Sequence, residues 1–153
     1  MKILISVLLI VISTKDCTQK STILPTSNKE VSENLKITYE AFSRGYFKSI
    51  TFENSKMKHS NDVNREKIDT LSINTKEWNE LIEIVNSMNL KSLENLQAPT
   101  DKRLYDGAPH CTLSIATKTE AYTTPSFDEG FPPDAIKSLV DKMLSIYENH
   151  SKH

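Results

Sequence analysis

Polar and apolar residues alternate along LKITYEAFS, where Leu35, Ile37, Tyr39 and Ala41 face one way and Lys36, Thr38 and Glu40 the other. A period of two carrying β-branched and aromatic side chains predicts a half-buried strand. Gly45 punctuates the pattern. YFKSITFEN then predicts a second strand with Tyr46, Ile50 and Phe52 on one face, joined to the first through a hairpin turn at Arg44-Gly45. Beyond a polar stretch around KHSNDVNRE, the segment KIDTLSI (Lys67 to Ile73) predicts a third strand.

The period then lengthens. NTKEWNELIEIVNSMNL starts at Asn74 with Glu77 three residues on, a capping-box pattern, and Trp78, Leu81, Ile82, Val85 and Met88 share one helical face. Packing against a sheet accounts for the lone tryptophan. LKSLENL adds a further turn carrying Leu93 and Leu96. In CTLSIAT, Leu113 and Ile115 alternate with polar residues, and a partner strand follows from about Ala121 to Phe127. Pro125 cannot donate to a ladder, so this last strand is an edge or is interrupted there. The closing PPDAIKSLVDKMLSIYENH places Pro132-Pro133 at a first helical turn, with Ile136, Leu139, Val140, Met143 and Tyr147 on the buried face. Strand runs separated by single helices predict an α+β, two-layer domain. The expected order is βββαββα, with an antiparallel sheet of about five strands and two helices packed on one face. Residues 35–149 form that single domain, and 150–153 read as a disordered tail.

Composition leaves this picture intact and removes some partners. The chain has 153 residues, 37% hydrophobic and 25% charged, enough for one domain with a core. Its formal net charge is −1, with lysines and acids interspersed, so it lacks the basic footprint that nucleic acid requires.

The N-terminus changes more. MKILISVLLIVISTKDC has a basic Lys2 and then an apolar run from Ile3 to Ile12 broken only by Ser6. Roughly ten residues are too few to span a bilayer and match the core of a signal peptide. Residues 1–16 are therefore expected to be a signal. Cys17, directly after it, resembles the acylated cysteine of bacterial lipoprotein signals, although Lys15 and Asp16 stand where small residues are usual. Residues 17–34, the lipidated cysteine and a polar segment, read as a flexible tether averaging roughly 20–25 Å end to end. The membrane, reached through a lipid on Cys17, is thus an expected partner, and the location is the cell envelope, on the periplasmic or the surface face. Were Cys17 not acylated, a disulfide to Cys111 would become available in an exported protein. With Cys17 acylated, Cys111 becomes a buried small hydrophobe heading a strand.

Candidate chemistry gathers around the three glycines, in SRGYF, APTDKRLYDGAPH and SFDEGFPP. Arg44 and Arg103 lie there among Asp101, Asp106, Asp128, Glu129 and His110. Arginine suits two-point contact with carboxylates or phosphates. Two readings stay open. In one, Asp-Gly marks a turn and the charges pair as bridges, Arg103 with Asp106 and Arg44 with Asp128. In the other, Arg44, Arg103, Asp106, His110 and Asp128 converge as a ligand-binding site. No metal or other cofactor is expected. Asp106, His110 and Asp128 offer ligand atoms, but there is no HExxH motif and no paired cysteine motif. His59, His150 and His153 read as solvated. Neither a GxSxG elbow nor a glycine-rich phosphate loop is present, and no catalytic residue is assigned.

SRGYF, the W..L helix, L.APTDKRLYDGA, SFDEGFPP and the closing I..LV.K.L together resemble a family of small uncharacterised lipoproteins of flavobacteria and related Bacteroidota. The resemblance covers about residues 36–147. It implies an exported location and supplies no activity. The expected role is a membrane-tethered, non-enzymatic domain that binds an envelope protein or a small ligand. One alternative is a small envelope hydrolase using Asp106, His110 and Asp128, with Arg103 holding an anion. Another is an inhibitor or chaperone-like module presenting a sheet edge.

Overall fold

The computed structural model describes residues 34–151. The expected signal segment, Cys17 and most of the tether lie outside the described residues, as does His153. Seven strands form one antiparallel sheet: β1 (Lys36–Ser43), β2 (Tyr46–Glu53), β3 (Lys56–Ser60), β4 (Asp69–Ser72), β5 (His110–Ala116), β6 (Ala121–Thr123) and β7 (Phe127–Asp128). Helix α1 (Thr75–Ser87) follows β4 and helix α2 (Asp134–His150) closes the chain. Short 3-10 turns occupy Leu90–Asn95 and Lys102–Tyr105. The spatial order is β4-β3-β2-β1-β5-β6, with β7 also paired to β5.

The α+β two-layer architecture is as expected, but the sheet has seven strands rather than five. The strand missed by period is β3, in KMKHS. It follows β2 through a tight turn in which Asn54 and Ser55 both adopt left-handed backbone, φ 51° and 57°. Two successive positive φ values suit a two-residue hairpin turn, but serine is a weak signal for the second. The predicted third strand is β4. It places Leu71 opposite Met57. The interruption expected at Pro125 is real: β6 pairs with Ser114–Ala116, the chain breaks, and β7 then pairs with His110 and Cys111.

Directly paired residues on neighbouring strands share a face. Ile37, Tyr39, Ile50, Phe52, Met57, Leu113 and Ile115 all lie on one face and are buried. Trp78, Leu81 and Val85 from α1 and Ile136, Leu139, Val140, Met143 and Ile146 from α2 complete that core. The Asn74–Glu77 capping box forms, each side chain bonding the other's backbone N–H at 2.8 and 3.1 Å. Pro133 caps α2 rather than entering it. His150, assigned from sequence to a tail, belongs to α2, and its Nε2 lies 3.1 Å from the Glu77 carboxylate. That contact ties the end of one helix to the start of the other.

Among the described residues, no helix covers the opposite face of the sheet. Its residues are largely hydroxylated and charged: Thr38 and Thr51 bond across β1–β2 at 3.1 Å, and Ser114 and Thr123 across β5–β6 at 2.8 Å. Residues 61–68, between β3 and β4, fold over one corner of it. Ser60 Oγ donates to the Lys67 carbonyl at 2.6 Å. The Asp62 carboxylate accepts N–H bonds from Asn64, Glu66 and Lys67 at 3.0–3.1 Å. These bonds, led by that from Asn64, hold the Asp62 carboxyl below its ordinary range. A lowered carboxylate keeps its bonds at neutral pH and gives them up only as pH falls through its lowered pKa. Asp62→Ala should therefore strip protection from the Asn64, Glu66 and Lys67 amides in hydrogen exchange at neutral pH while leaving the β1–β2 amides unchanged.

Candidate functional site

Asp128 is paired with His110 and points to the open face, where it is nevertheless wholly enclosed. The 100–103 segment covers it. Its carboxylate accepts from Thr100 Oγ1 at 2.5 Å, Lys102 N at 2.7 Å, Arg103 N at 3.0 Å and Arg103 Nη1 at 3.0 Å. Burial by itself would push this carboxyl up. The bonds from Thr100, from the Arg103 backbone and guanidinium and from the Lys102 backbone outweigh it and hold the group well below the carboxylate range. Arg103 is held in turn: Nε donates to Ser126 Oγ at 2.9 Å and Nη1 to the Thr100 carbonyl at 2.7 Å. The Asp128 oxygens are fully taken, and Arg103 has committed Nε and Nη1, so the pair offers a ligand neither a free carboxylate nor a free two-nitrogen fork.

The pairing differs from both bridges expected from sequence. Arg103 meets Asp128 rather than Asp106, and no Arg44–Asp128 bridge occurs. Asp106 instead ends the 102–105 turn with φ 58°, so the left-handed residue of the Asp-Gly pair is the aspartate. Gly107 is needed for space. Its N–H bonds the Lys102 carbonyl at 2.8 Å, and an added Cβ would lie 3.1 Å from that oxygen. Gly107→Ala should accordingly lower the thermal midpoint by a few degrees, since the clash is with backbone rather than with a movable side-chain end.

The five candidate residues divide into three places. Arg103 and Asp128 form the enclosed pair. His110 lies on the open face beside it, stacked on Phe42 with ring centroids 5.4 Å apart, its Nδ1 3.3 Å from Ser126 Oγ. Arg44 and Asp106 line a separate shallow depression of about 360 Å³ with Ser43, Gly107, Ala108 and Pro109. Glu129 turns to the core side, accepting from Tyr46 Oη at 2.8 Å and Lys48 Nζ at 3.1 Å. Among the described residues, no three His, Cys, Asp or Glu side chains gather closely enough to hold a metal ion.

Cys111 is free and fully enclosed, its Sγ 3.1 Å from Tyr39 Oη. Burial dominates and pushes its thiol up to about 12. The folded protein should leave Cys111 unreactive toward a disulfide-exchange reagent at pH 8, with the thiol appearing only on unfolding in denaturant.

A second concavity, of about 250 Å³, lies on the open face where residues 61–68 fold over β1–β3. Phe47 forms its floor and is 5% exposed although it faces away from the core. Arg65 lies over that ring, its guanidinium carbon 4.5 Å from the centroid. Ser49, Thr51 and Ser60 supply hydroxyls, Lys36 and Lys58 supply charge, and Ile68 adds an apolar wall. The hydrophobic pattern of the sequence does not mark this place. Arg65 is the third arginine, and it sits in the polar stretch read as a plain connection. The available signal was Asp62 three positions before it, a residue type that folds a loop back on its own backbone. His59 also departs from the solvated expectation, packing edge-on to Tyr147 of α2 with centroids 5.2 Å apart.

No protein-family model matches the chain. A search of curated proteins likewise found no match.

Proposed function

We propose that the protein is an exported, lipid-anchored binding protein of the cell envelope. The observation that carries the binding reading is the division of the sheet. Among the described residues, helices seal one face and leave the other open, with hydroxyls, charges and a concavity on it. The loop residues that would suit a hydrolase point the other way. Asp128 is enclosed and saturated by Arg103, Thr100 and Lys102, while Asp106 lines a different depression from His110. Neither aspartate is therefore free to act as a base with His110 or to orient it. The anchoring reading rests on the apolar run before Cys17 and on the resemblance to flavobacterial lipoproteins. Enclosure of Cys111 supports it, because a thiol sealed in the core is poorly placed to pair with Cys17 and leaves that cysteine available for acylation.

The test is fractionation in a bacterial host with a lipoprotein pathway. Wild-type protein should partition with membranes and carry the mass of an acyl-modified Cys17. Cys17→Ser should shift it to the soluble envelope fraction. Equal membrane association of the two would sink the anchoring reading.

A further inference from the structure

The Arg65–Phe47 concavity has features that a plain surface fold lacks. Its wall is fixed in advance: Asp62 and Ser60 bond four backbone positions of the 61–68 segment, and Arg65 N donates to the Asp62 carbonyl at 2.8 Å. Within that loop Arg65 is held in left-handed backbone, φ 59°. For a non-glycine residue this conformation is uncommon and costs energy that the surrounding bonds must offset. The result is a guanidinium held over a buried aromatic ring, its central carbon 4.5 Å from the centroid. Among the described residues it has no carboxylate partner, and neither has Lys36. Lys58 is the third cation, held at 3.3 Å by Glu53 in an exposed pair. Glu40 is the lone acid of the lining. The concavity therefore combines an excess of positive charge, three hydroxyl groups and an apolar floor.

We propose that this concavity is a binding site for a small organic anion, a carboxylate or phosphate group borne on a flat or short apolar body. The anion meets the N–H groups of the Arg65 guanidinium, which no carboxylate occupies among the described residues and which can therefore form a two-point contact. Lys36 and Lys58 add charge that needs no fixed geometry. The apolar body lies against Phe47 and Ile68, and the hydroxyls of Ser49 and Thr51 orient polar atoms at its margin. The concavity, about 250 Å³ and open to solvent, admits a group of the size of a substituted benzene ring with its charged group. The Arg44–Asp106 depression has no aromatic side chain in its lining and carries one acid for its one cation, so it lacks this preference.

The inference deepens the binding reading and is separable from anchoring, because a soluble Cys17→Ser protein can still bind the anion. The experiment is calorimetric titration of the purified full chain with phenyl phosphate, hexanoate and inorganic phosphate. Phenyl phosphate is expected to bind saturably, about ten-fold or more tightly than inorganic phosphate. Arg65→Gln should weaken it by about ten-fold or more, and Arg44→Ala by less than about two-fold. Thermal melts check that Arg65→Gln remains folded, and Arg65→Lys, which keeps charge without the fork, should recover only part of the affinity. Absence of saturable binding by both phenyl phosphate and hexanoate would overturn the proposal. So would affinity unchanged in Arg65→Gln, or an equal loss in Arg44→Ala.

Discussion

Asp128→Ala should destabilise the protein by about 3–5 kcal/mol, the range for breaking a buried charge pair from one side. The substitution removes four hydrogen bonds at once and strands their donors. Arg103 is left with 14% side-chain exposure and no carboxylate. Thr100 Oγ1 and the N–H groups of Lys102 and Arg103 lose their acceptor. Since these four contacts hold residues 100–103 over the end of β5 and β7, that segment should loosen together with the global loss. Urea unfolding measures the cost as a fall in midpoint at nearly constant slope. Arg103→Met should cost less, because Asp128 keeps three of its four donors. The pH dependence has a defined sign. The Asp128 carboxyl is lowered in the folded state, so its contribution is present above the ordinary carboxylate pKa and fades as pH falls through the lowered value. Below about pH 4 the wild-type protein should lose stability more steeply than Asp128→Asn, which cannot ionise. A functional site that tolerates strain would behave differently. Its charged residues, once removed, commonly leave stability unchanged or raised.

Phe52→Ala should also cost about 3–5 kcal/mol, through lost transfer energy and the cavity it leaves. Phe52 is fully buried on β2, in the core beneath the helices and directly opposite Ile37 and Met57. Its neighbour Thr51 points to the other face and bonds Thr38 at 3.1 Å. Thr51→Ala should cost no more than about 1 kcal/mol, the worth of one partly exposed hydrogen bond. This pair of adjacent substitutions tests which face is sealed. Equal costs would mean that the Thr51 face is packed too, and the open surface on which binding is argued would not exist. Thermal or urea unfolding of the two variants reads the difference directly.

Much of the fold was legible because period survives in the sequence wherever a single face is buried. Leu35 to Ala41 alternate cleanly since the helices cover only one side of β1. Asn74 with Glu77 announces α1 because the capping bonds need those side chains at that spacing. The strand β3 was not legible for a physical reason. KMKHS buries Met57 against the core and Ser60 on the opposite face, with Lys58 and His59 between them, and its entry turn uses serine where glycine is the usual sign. The loop chemistry was legible in kind but not in partnership. Arginine and aspartate in glycine loops do form a bridge, yet which arginine meets which aspartate depends on the return of the chain at Pro125, which brings Asp128 under residue 103. Arg65 was invisible for a different reason. Its position over Phe47 is created by backbone bonds to Asp62, and hydrophobic period does not report such bonds.

On this proposal the open sheet face receives ligands while the Arg103 loop locks the fold. Backbone amide shifts of the isotope-labelled full chain, followed during titration with phenyl phosphate, test it most directly. Perturbations should concentrate in β1–β3 and residues 61–68, with Phe47, Thr51 and Arg65 among the largest, and should leave residues 98–110 still. Shifts centred on Arg103, Asp106 and His110, with β2 and Arg65 unmoved, would contradict it.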